Sequence, residues 1–298
     1  MPNSKKIVCF GEVLWDMLPT GKLPGGAPMN CAYHIHQLGL QSQMISRIGK
    51  DILGAELKEL LISKKVDTSL LQVDDQYDTS TVAVTLDKKG TPSYEIVQPV
   101  AWDFIELQKN KEVVQQADAL VYGSLAARNT TTLTTLLRLL PYAPFKIFDI
   151  NLRSPFYDKK TLESLLHPAD IVKLNEEEIE ILCKLLGLSS FSEWDQMNWL
   201  IRRYQLTGMI ITKGTEGALY FDGKKSYHQP IFKVEVQDTI GSGDAFLAGF
   251  TTQYIQGEPI PTCLQFGAFM GAYIASNKGA MPAYDKNSLF ELYTSWTS

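Results

Sequence analysis

The chain has 298 residues, 28 of them basic and 33 acidic, giving a formal net charge of −5. Hydrophobic residues make up 45% and charged residues 20%, which is ordinary for a globular chain and excludes disordered, collagen-like and low-complexity proteins. The acidic balance argues against a nucleic-acid-binding protein, which usually carries a basic face. No apolar stretch approaches the roughly 20 residues that cross a bilayer, so we expect no membrane partner.

Apolar runs of strand length alternate with amphipathic stretches of helix length. The predicted strands are 6–12, 43–48, 119–122, 146–150, 171–174 and 209–212. The predicted helices are 29–38, 54–64, 131–140, 161–166, 176–186, 191–204, 243–256, 261–277 and 288–294. Short strands that are apolar throughout are typical of a parallel sheet covered on both faces. The alternation therefore predicts an α/β fold with helices on both faces of the sheet.

One segment departs from this alternation and predicts a small second sheet. Residues 79–86 alternate as a half-exposed strand, 88–92 form a turn, and 93–97 form a second strand. Residues 13–18 are a candidate third strand of the same kind. A small sheet standing off the main one would act as a lid. We expect one domain over 1–298, with the lid inserted in pieces at roughly 13–26 and 79–104.

The cysteines and the N-terminus indicate a cytoplasmic protein. The four cysteines lie far apart without metal-binding spacing, which favours reduced thiols; they are Cys9, Cys31, Cys183 and Cys263. The apolar run at 7–10 is too short for the core of a signal peptide.

The most specific motif is Asp-Thr-Ile-Gly-Ser-Gly-Asp-Ala-Phe at 238–246. Its two glycines allow a ligand to approach the backbone closely, and the N–H groups at the start of the following helix favour an anion. Asp244 is placed to accept the proton of an attacking hydroxyl while those amides stabilise a transferring phosphoryl group. The alternative is an ordinary glycine-rich loop whose aspartate caps the helix.

A second glycine cluster, Pro-Gly-Gly-Ala-Pro-Met-Asn at 24–30, leads into the first predicted helix. Asn30 is a candidate ligand for a polyol hydroxyl, with helix capping as the alternative. Asp16 follows the first buried strand, where α/β folds place ligand contacts, with a solvated loop residue as the alternative. The dinucleotide-binding and Walker patterns are not matched, because Phe246 and Asp51 stand where glycine and Ser or Thr are needed.

The two glycine motifs together resemble the ribokinase-like (PfkB) carbohydrate kinases, and the resemblance runs from about residue 5 to residue 290. It implies a three-layer α/β/α domain with a mostly parallel central sheet and a small β lid. It also implies ATP as the phosphoryl donor, with Mg²⁺. By this resemblance Asp244 is the catalytic base, and the anion hole for the transferring phosphate is formed by Gly241, Ser242 and Gly243.

The resemblance assigns further contacts residue by residue. The sugar contacts it implies are Asp16, Gly26 and Asn30. The ATP-site residues it implies are Asn175, Glu178, Thr212, Gly214 and Asn277, with Glu178 organising magnesium through water. Asn175 and Glu178 also fit a helix capping box, and both roles are compatible. A potassium site seen in many members is matched by Asp238 and the Ile240 carbonyl.

Two features bear on the substrate. Asp-Ile-Asn-Leu-Arg at 149–153 is a pattern common among fructokinases and ketodeoxygluconate kinases, and Arg153 is either a substrate or phosphate contact or part of a surface ion pair. The lid stretch 94–103 resembles bacterial fructokinases, although many fructokinases carry Arg at the position of Gln98. Trp102 either covers a sugar face or packs the lid.

The expected reaction is therefore phosphorylation of fructose by ATP to fructose 6-phosphate. The alternatives are a kinase for ribose, ketodeoxygluconate or adenosine, and a non-catalytic relative. The intact stretch around Asp244 argues against the non-catalytic relative, which would be expected to lose that residue or its glycines.

We also expect a homodimer formed through the lid. The alternation at 81–86 gives the hairpin one apolar face, made of Val82, Val84 and Leu86. A small sheet standing alone is only marginally stable, and its apolar face needs a cover. In many members of the family, lids pack against a partner's lid. The alternative is that the face folds onto its own sugar site.

Overall fold

The computed structural model describes residues 5–19, 21–86 and 92–297, without the side chains of 84–86 and 92–94. In chain order the described strands are β1 Lys6–Phe10, β2 Leu14–Leu18, β3 Gly21–Gly25, β4 Gln41–Gly49, β5 Leu71–Asp74, β6 Ser80–Leu86, β7 Pro92–Ile96, β8 Ala119–Gly123, β9 Lys146–Asp149, β10 Ile171–Asn175, β11 Gly208–Thr212, β12 Ala218–Phe221 and β13 Ser226–Gln229.

The helices connect these strands and cover the sheet. The described α-helices are α1 Ala27–Gln37, α2 Ile52–Ser63, α3 Asn110–Gln115, α4 Thr130–Leu139, α5 Lys159–Leu166, α6 Glu176–Leu186, α7 Glu193–Tyr204, α8 Ser242–Ile255, α9 Ile260–Ala275 and α10 Lys286–Thr297. Within the described ranges, no helix is long and apolar enough to cross a membrane.

Nine strands form one central sheet, in the order β13-β12-β11-β10-β9-β8-β1-β4-β5. Pairing is parallel from β11 to β5 and antiparallel at β12 and β13. The predicted parallel sheet is confirmed. Because the carboxyl ends of parallel strands meet at one edge, the loops after β1, β8, β9, β10 and β11 converge there.

Each face of the sheet builds its own hydrophobic core, as alternation along β1 shows. Ile7 and Cys9 pack into a cluster that also holds side chains of α1 and α8. Val8 and Phe10 point the other way, into a cluster with side chains of α4 and α6. The three-layer α/β/α arrangement follows from this two-sided burial. All four cysteines lie buried as free thiols.

Four strands form a separate sheet in the order β3-β2-β6-β7, at the positions predicted for the lid. The predicted hairpin is present as β6 and β7, although residues 88–91 of its predicted turn lie outside the described residues. The indole N–H of Trp15 on β2 donates to the Leu53 carbonyl of α2 at 3.0 Å, which ties this sheet to the main one. The assignment of both sheets to one domain stays a prediction.

The apolar face of β6 is buried within the protein at Val82, whose side chain is described. Val82 is only 4% exposed, and it stands in parallel register with Asp16 of β2. Paired residues share a face of a sheet, so Val82 and Asp16 point to the same side. The cover of Val82 is therefore supplied by the chain itself, as the alternative to the dimer expects, and the side chains of Val84 and Leu86 lie outside the described residues.

Candidate active site

Asp244 stands in the first turn of α8, where its helix is held rigidly by the core. The helix buries Phe246, Leu247 and Phe250 beneath it. It begins after Gly241, whose φ of +79° is in the left-handed region and whose Cβ, if present, would lie 2.5 Å from the Ala280 Cβ. Only glycine satisfies both conditions, so the loop places the carboxylate at one fixed point of the sheet edge.

The amides before Asp244 form a partly open cradle. The Ser242 N–H donates to the Thr239 carbonyl at 3.2 Å, so this amide is already occupied. In the part of the chain that is described, the N–H groups of Gly241 and Gly243 have no carbonyl acceptor. These two amides, with the dipole of α8, are the donors available to an anion.

The two glycine motifs meet directly. The Asn30 Nδ2 donates to the Asp244 Oδ2 at 2.8 Å, across 214 positions of sequence. Asn30 is 3% exposed, and its Oδ1 has no partner among the described residues. The alternative of helix capping does not hold, because α1 begins at Ala27 and its N-cap is Gly26. Gly26 has φ +118°, and a Cβ there would lie 2.5 Å from the Glu12 carbonyl oxygen.

Asp16 reaches the site from the lid sheet. It lies within β2, which matches the candidate lid strand at 13–18 and begins only four residues after β1 ends. Burial raises the pKa of Asp16 to about 6, and the Arg153 guanidinium opposes that rise. Arg153 is exposed and donates to the neighbouring Leu152 carbonyl at 3.0 Å. Among the described residues it forms no salt bridge, so the surface ion-pair alternative is not seen.

Burial also raises the pKa of Asp244, and neighbouring groups oppose part of this rise. The Lys173 ammonium and the hydrogen bond from Asn30 both lower this pKa, as does Arg153. Because desolvation outweighs these opposing interactions, the Asp244 carboxylate is a stronger base than one in water. The arrangement can therefore take a proton from a bound hydroxyl.

Glu12, directly after β1, is a residue of this site that the sequence reasoning missed. It is 2% exposed, and its Oε2 has no partner among the described residues. Burial raises its pKa to about 7, with the backbone amides of Glu12 and Ala27 and the charge of Arg153 opposing. Its signal was faint, because Glu12 was predicted as the last residue of the strand at 6–12, where a glutamate is ordinarily exposed to water.

The raised pKa of Glu12 predicts how stability changes with pH. The folded protein keeps a proton on this group that the unfolded chain loses above about pH 4.5, so stability falls as pH rises toward 7. We expect Glu12→Gln to remove this loss, which is about 3 kcal/mol for such a difference in pKa. Urea unfolding from pH 5 to pH 8 should show the variant gaining stability on the wild type as pH rises. A constant difference between the two proteins would contradict the assignment.

Asn175 and Glu178 form the predicted capping box at the start of α6. The Glu178 N–H donates to Asn175 Oδ1 at 2.8 Å, and the Asn175 N–H donates to Glu178 Oε2 at 2.8 Å. The other Glu178 oxygen accepts from the Leu152 N–H at 2.9 Å. Glu178 is 6% exposed, and it joins α6 to the loop that carries Arg153.

A cavity of about 870 Å³ adjoins the start of α8. Three predicted nucleotide-site residues line it, and so do two of the predicted anion hole; these are Asn175, Thr212, Gly214, Ser242 and Gly243. One wall is apolar and built largely of small or branched side chains, namely Ile231, Val234, Val236, Ala268, Gly271 and Ala272. An apolar slot leading to free helix N–H groups suits a flat base carrying phosphates.

Asn277 and Glu178 stand apart from the lining of this cavity. The Asn277 Nδ2 donates to the Tyr273 carbonyl at 2.7 Å, which turns its side chain back onto α9. Glu176, Glu177 and Glu180 of α6 line the cavity instead of Glu178. Of the predicted nucleotide-site residues, Asn175, Thr212 and Gly214 therefore line the cavity, whereas Glu178 and Asn277 do not.

Asp238 braces the loop that precedes α8. Its Oδ1 accepts from the Ile240 N–H at 3.0 Å, and its Oδ2 accepts from the Gly279 N–H at 3.1 Å. The carboxylate therefore joins the glycine-rich loop to the segment after α9.

Trp102 does not cover a sugar. It is fully buried, and the Arg128 guanidinium stacks on its ring at 4.0 Å. Arg128 also forms a bidentate salt bridge with Asp103, in which Nε donates to Oδ1 at 2.7 Å and Nη2 donates to Oδ2 at 2.8 Å. A further bond from Nη2 to the Val97 carbonyl, 2.8 Å long, makes this cluster the anchor of the segment leaving the lid.

Known proteins resemble this chain along its length. Residues 3–287 match the model of the pfkB family carbohydrate kinases. A fructokinase of Escherichia coli is 32% identical over 264 residues, 84% of either chain. A fructokinase of Salmonella typhimurium is 29% identical over 303 residues, covering 93% of this chain and 95% of that one.

Solved structures share the fold. A fructokinase of Xylella fastidiosa with bound ATP has a TM-score of 0.88 at 23% identity, covering 99% of this chain and 100% of that one. A fructokinase of Vibrio cholerae, bound to fructose, ADP and potassium ion, has a TM-score of 0.84 at 24% identity, covering 98% and 99%. The ribokinase-like α/β fold and its lid sheet are thereby confirmed. With a family match across almost the whole sequence, the chain belongs to the pfkB family of carbohydrate kinases.

Proposed function

We propose that this protein is an ATP-dependent fructokinase that converts fructose to fructose 6-phosphate. The observation that carries the proposal is the hydrogen bond from Asn30 to Asp244. It places a side chain suited to binding a sugar hydroxyl next to a desolvated base, beside helix N–H groups that have no carbonyl acceptor among the described residues. The fructokinases among its relatives support fructose as the acceptor. The cavity beside α8 supplies the place for ATP.

In the proposed reaction the fructose 6-hydroxyl attacks the γ-phosphorus of ATP. The hydroxyl proton passes to Asp244 while the new O–P bond forms. The bond from the γ-phosphorus to the bridging oxygen breaks, and its electron pair leaves with ADP. The N–H groups of Gly241 and Gly243 stabilise the charge on the transferring phosphoryl oxygens. Asp16 and Asn30 hold the sugar, with Arg153 beside them.

Magnesium, bound with ATP, would neutralise phosphate charge. The carboxylates of Glu176, Glu177 and Glu180 line the cavity, and carboxylate oxygens suit a hard cation, although no three acidic, histidine or cysteine side chains of the described residues cluster as ligands of one ion. Each Glu178 oxygen already accepts one backbone N–H, so it has a lone pair left but is held in place. This fits the predicted role of Glu178, which is to orient waters of the magnesium ion rather than to bind the ion directly.

A potassium ion at Asp238 and the Ile240 carbonyl is a further part of the proposal. Both oxygens of Asp238 accept loop N–H groups, so a cation there would stiffen the loop that precedes the anion hole. We expect turnover to fall when potassium chloride is replaced by tetramethylammonium chloride at equal ionic strength. Equal turnover in the two salts would remove potassium from the proposal.

A substrate panel tests the proposed function. Purified protein with ATP and magnesium should phosphorylate fructose with a kcat/KM well above that for ribose, ketodeoxygluconate or adenosine. ADP release and sugar phosphate should appear in equal amounts. A preference for one of the other three acceptors would overturn the fructose assignment, and no turnover with any of them would overturn the kinase assignment.

Removing Asp16 should act on the sugar and not on ATP. Asp16 lies on the lid strand at the sugar side, and its loss leaves polar groups of the sugar unpaired at a cost of about 1–3 kcal/mol. We expect Asp16→Ala to lower kcat/KM for fructose by roughly 5–150-fold, with the KM for ATP changed less than threefold. Initial rates with each substrate varied in turn would show this. A raised KM for ATP with unchanged fructose dependence would contradict it.

We further infer a homodimer joined through the lid sheet. Met17 on β2 is 39% exposed and lies on the opposite face of the sheet from Asp16, so that face keeps an exposed apolar side chain. Sedimentation at micromolar concentration should give a species near twice 33.4 kDa. Met17→Glu should shift it toward the monomer. A single 33.4 kDa species, unchanged by fructose, would overturn the dimer.

A further inference from the structure

Lys173 is a buried cation directly beneath the anion hole. It interrupts the apolar strand β10 and is 6% exposed. Its Nζ lies 3.0 Å from each carboxylate oxygen of Asp149, at the end of the neighbouring strand β9. Burying such a pair costs desolvation energy that its own attraction repays only in part. Stability alone therefore does not explain this buried pair, and its position at the carboxyl edge of the sheet indicates a function in the site.

The ammonium of this pair is the end nearer the anion hole. A Cβ on Gly243 would lie 3.3 Å from Lys173 Nζ and 4.0 Å from its Cε. No atom of Asp149 comes within 4 Å of that point. The ammonium of Lys173 thus lies against the backbone of Gly243, and the Asp149 carboxylate lies farther from that backbone. The Gly243 N–H has no carbonyl acceptor in the described part of the chain.

Three carboxylates hold this lysine in its charged form. Burial alone would lower the pKa of Lys173, but Asp149, Glu178 and Asp244 raise it above its usual value. In return, the ammonium lowers the pKa of Asp244 and so favours the ionised base. A fixed charge in a site of low polarity acts far more strongly than the same charge in water.

We propose that Lys173 is a positioning residue for phosphoryl transfer, acting through Gly243 and Asp244 from beneath the anion hole. It adds positive potential where the transferring phosphoryl group gathers negative charge, without touching the group itself. The proposal rests on the proposed function for its turnover readout. It does not depend on which sugar is the acceptor.

The test replaces the pair by neutral groups of similar shape. Lys173→Gln with Asp149→Asn retains a hydrogen-bonding pair and leaves no unpaired buried charge, so the variant is expected to fold. The matched control is Lys146→Gln with Asp170→Asn. That pair, 2.9 Å long, joins the same two strands at the opposite edge of the sheet.

We expect kcat of the Lys173–Asp149 double variant to fall by about 10–100-fold. Loss of a direct oxyanion-hole donor costs about 10²–10³-fold, and the effect of Lys173 should be smaller because it does not contact the phosphoryl group itself. The KM for fructose should change less than threefold. The control variant should keep kcat within twofold. Asp149→Asn alone, which keeps the ammonium, should turn over about tenfold faster than the double variant.

A second readout is independent of turnover. Titration calorimetry should show that ADP with fluoroaluminate, a mimic of the transferring phosphoryl group, binds the double variant at least tenfold more weakly than wild type. ADP alone should bind both equally. Wild-type kcat and wild-type binding of the mimic in a folded double variant would overturn the proposal. If wild type fails to phosphorylate fructose, the fructose assignment falls, and the binding comparison still decides the role of Lys173.

Discussion

Asp244→Asn should lower turnover by about 10²–10⁴-fold, which is the usual contribution of general-base assistance. The asparagine has nearly the same shape and still meets Asn30, but it cannot accept the hydroxyl proton. The carboxylate lies at the edge of the nucleotide cavity and not in its apolar wall, so ATP binding should be nearly unchanged. Steady-state rates and calorimetric titration with ATP measure the two effects separately.

Glu258→Gln is the matched control, because it neutralises an exposed carboxylate in the turn between α8 and α9. It should leave both turnover and ATP binding at wild-type values. An Asp244→Asn protein that kept more than about a tenth of the wild-type rate would show that Asp244 is not the base.

Arg128→Met should destabilise the protein by about 3–5 kcal/mol, because it leaves the buried Asp103 carboxylate without its charged partner and with only the Val100 N–H as a donor. The two side chains are only 3% and 2% exposed. The methionine also loses the guanidinium's stacking on Trp102 and its bond to the Val97 carbonyl. Calorimetry should show a lower Tm, by roughly 5–15 °C for a chain of this size.

Lys50→Met provides the comparison for a pair in water. Lys50 and Asp75 form a 2.9 Å ion pair in which both side chains are 75% exposed. Exposed pairs of this kind are screened by water and contribute little to stability, so the variant should melt close to wild type. Equal Tm values for Arg128→Met and Lys50→Met would show that the lid anchor adds no stability.

The sequence predicted the six central parallel strands of the main sheet, because continuous apolar strands are a local pattern, but it did not predict the outer strands β5, β12 and β13. Strand β3 was not predicted, since Gly21, Pro24 and Gly25 in a five-residue stretch look like a turn. Helix α1 begins two residues before the predicted start at Met29. Pro28 is tolerated there because first-turn amides need no helical acceptor.

The candidate site was predicted in its motifs but not in its contacts. Nothing local shows that Asn30 bonds Asp244, since that contact exists only when α1 and α8 pack together. Glu12 and Lys173 became site residues through burial, which depends on neighbours far along the chain. Trp102 was ambiguous because the same aromatic residue serves a lid core or a sugar face, and only packing against Arg128 decides between them.

The distance in sequence between Asn30 and Asp244 also sets when the enzyme becomes competent during its synthesis. The ribosome releases the proposed sugar-binding segment first, whereas the proposed base and the α9 wall of the proposed ATP cavity emerge last. Closing so long a loop is entropically costly and slow. A nascent or truncated chain ending before α8 therefore has the proposed sugar ligands but neither the proposed base nor a complete cavity, and we expect it not to consume ATP. Recovery of phosphorylation after dilution from urea would accordingly report the last stage of folding, when the two ends of the chain have met.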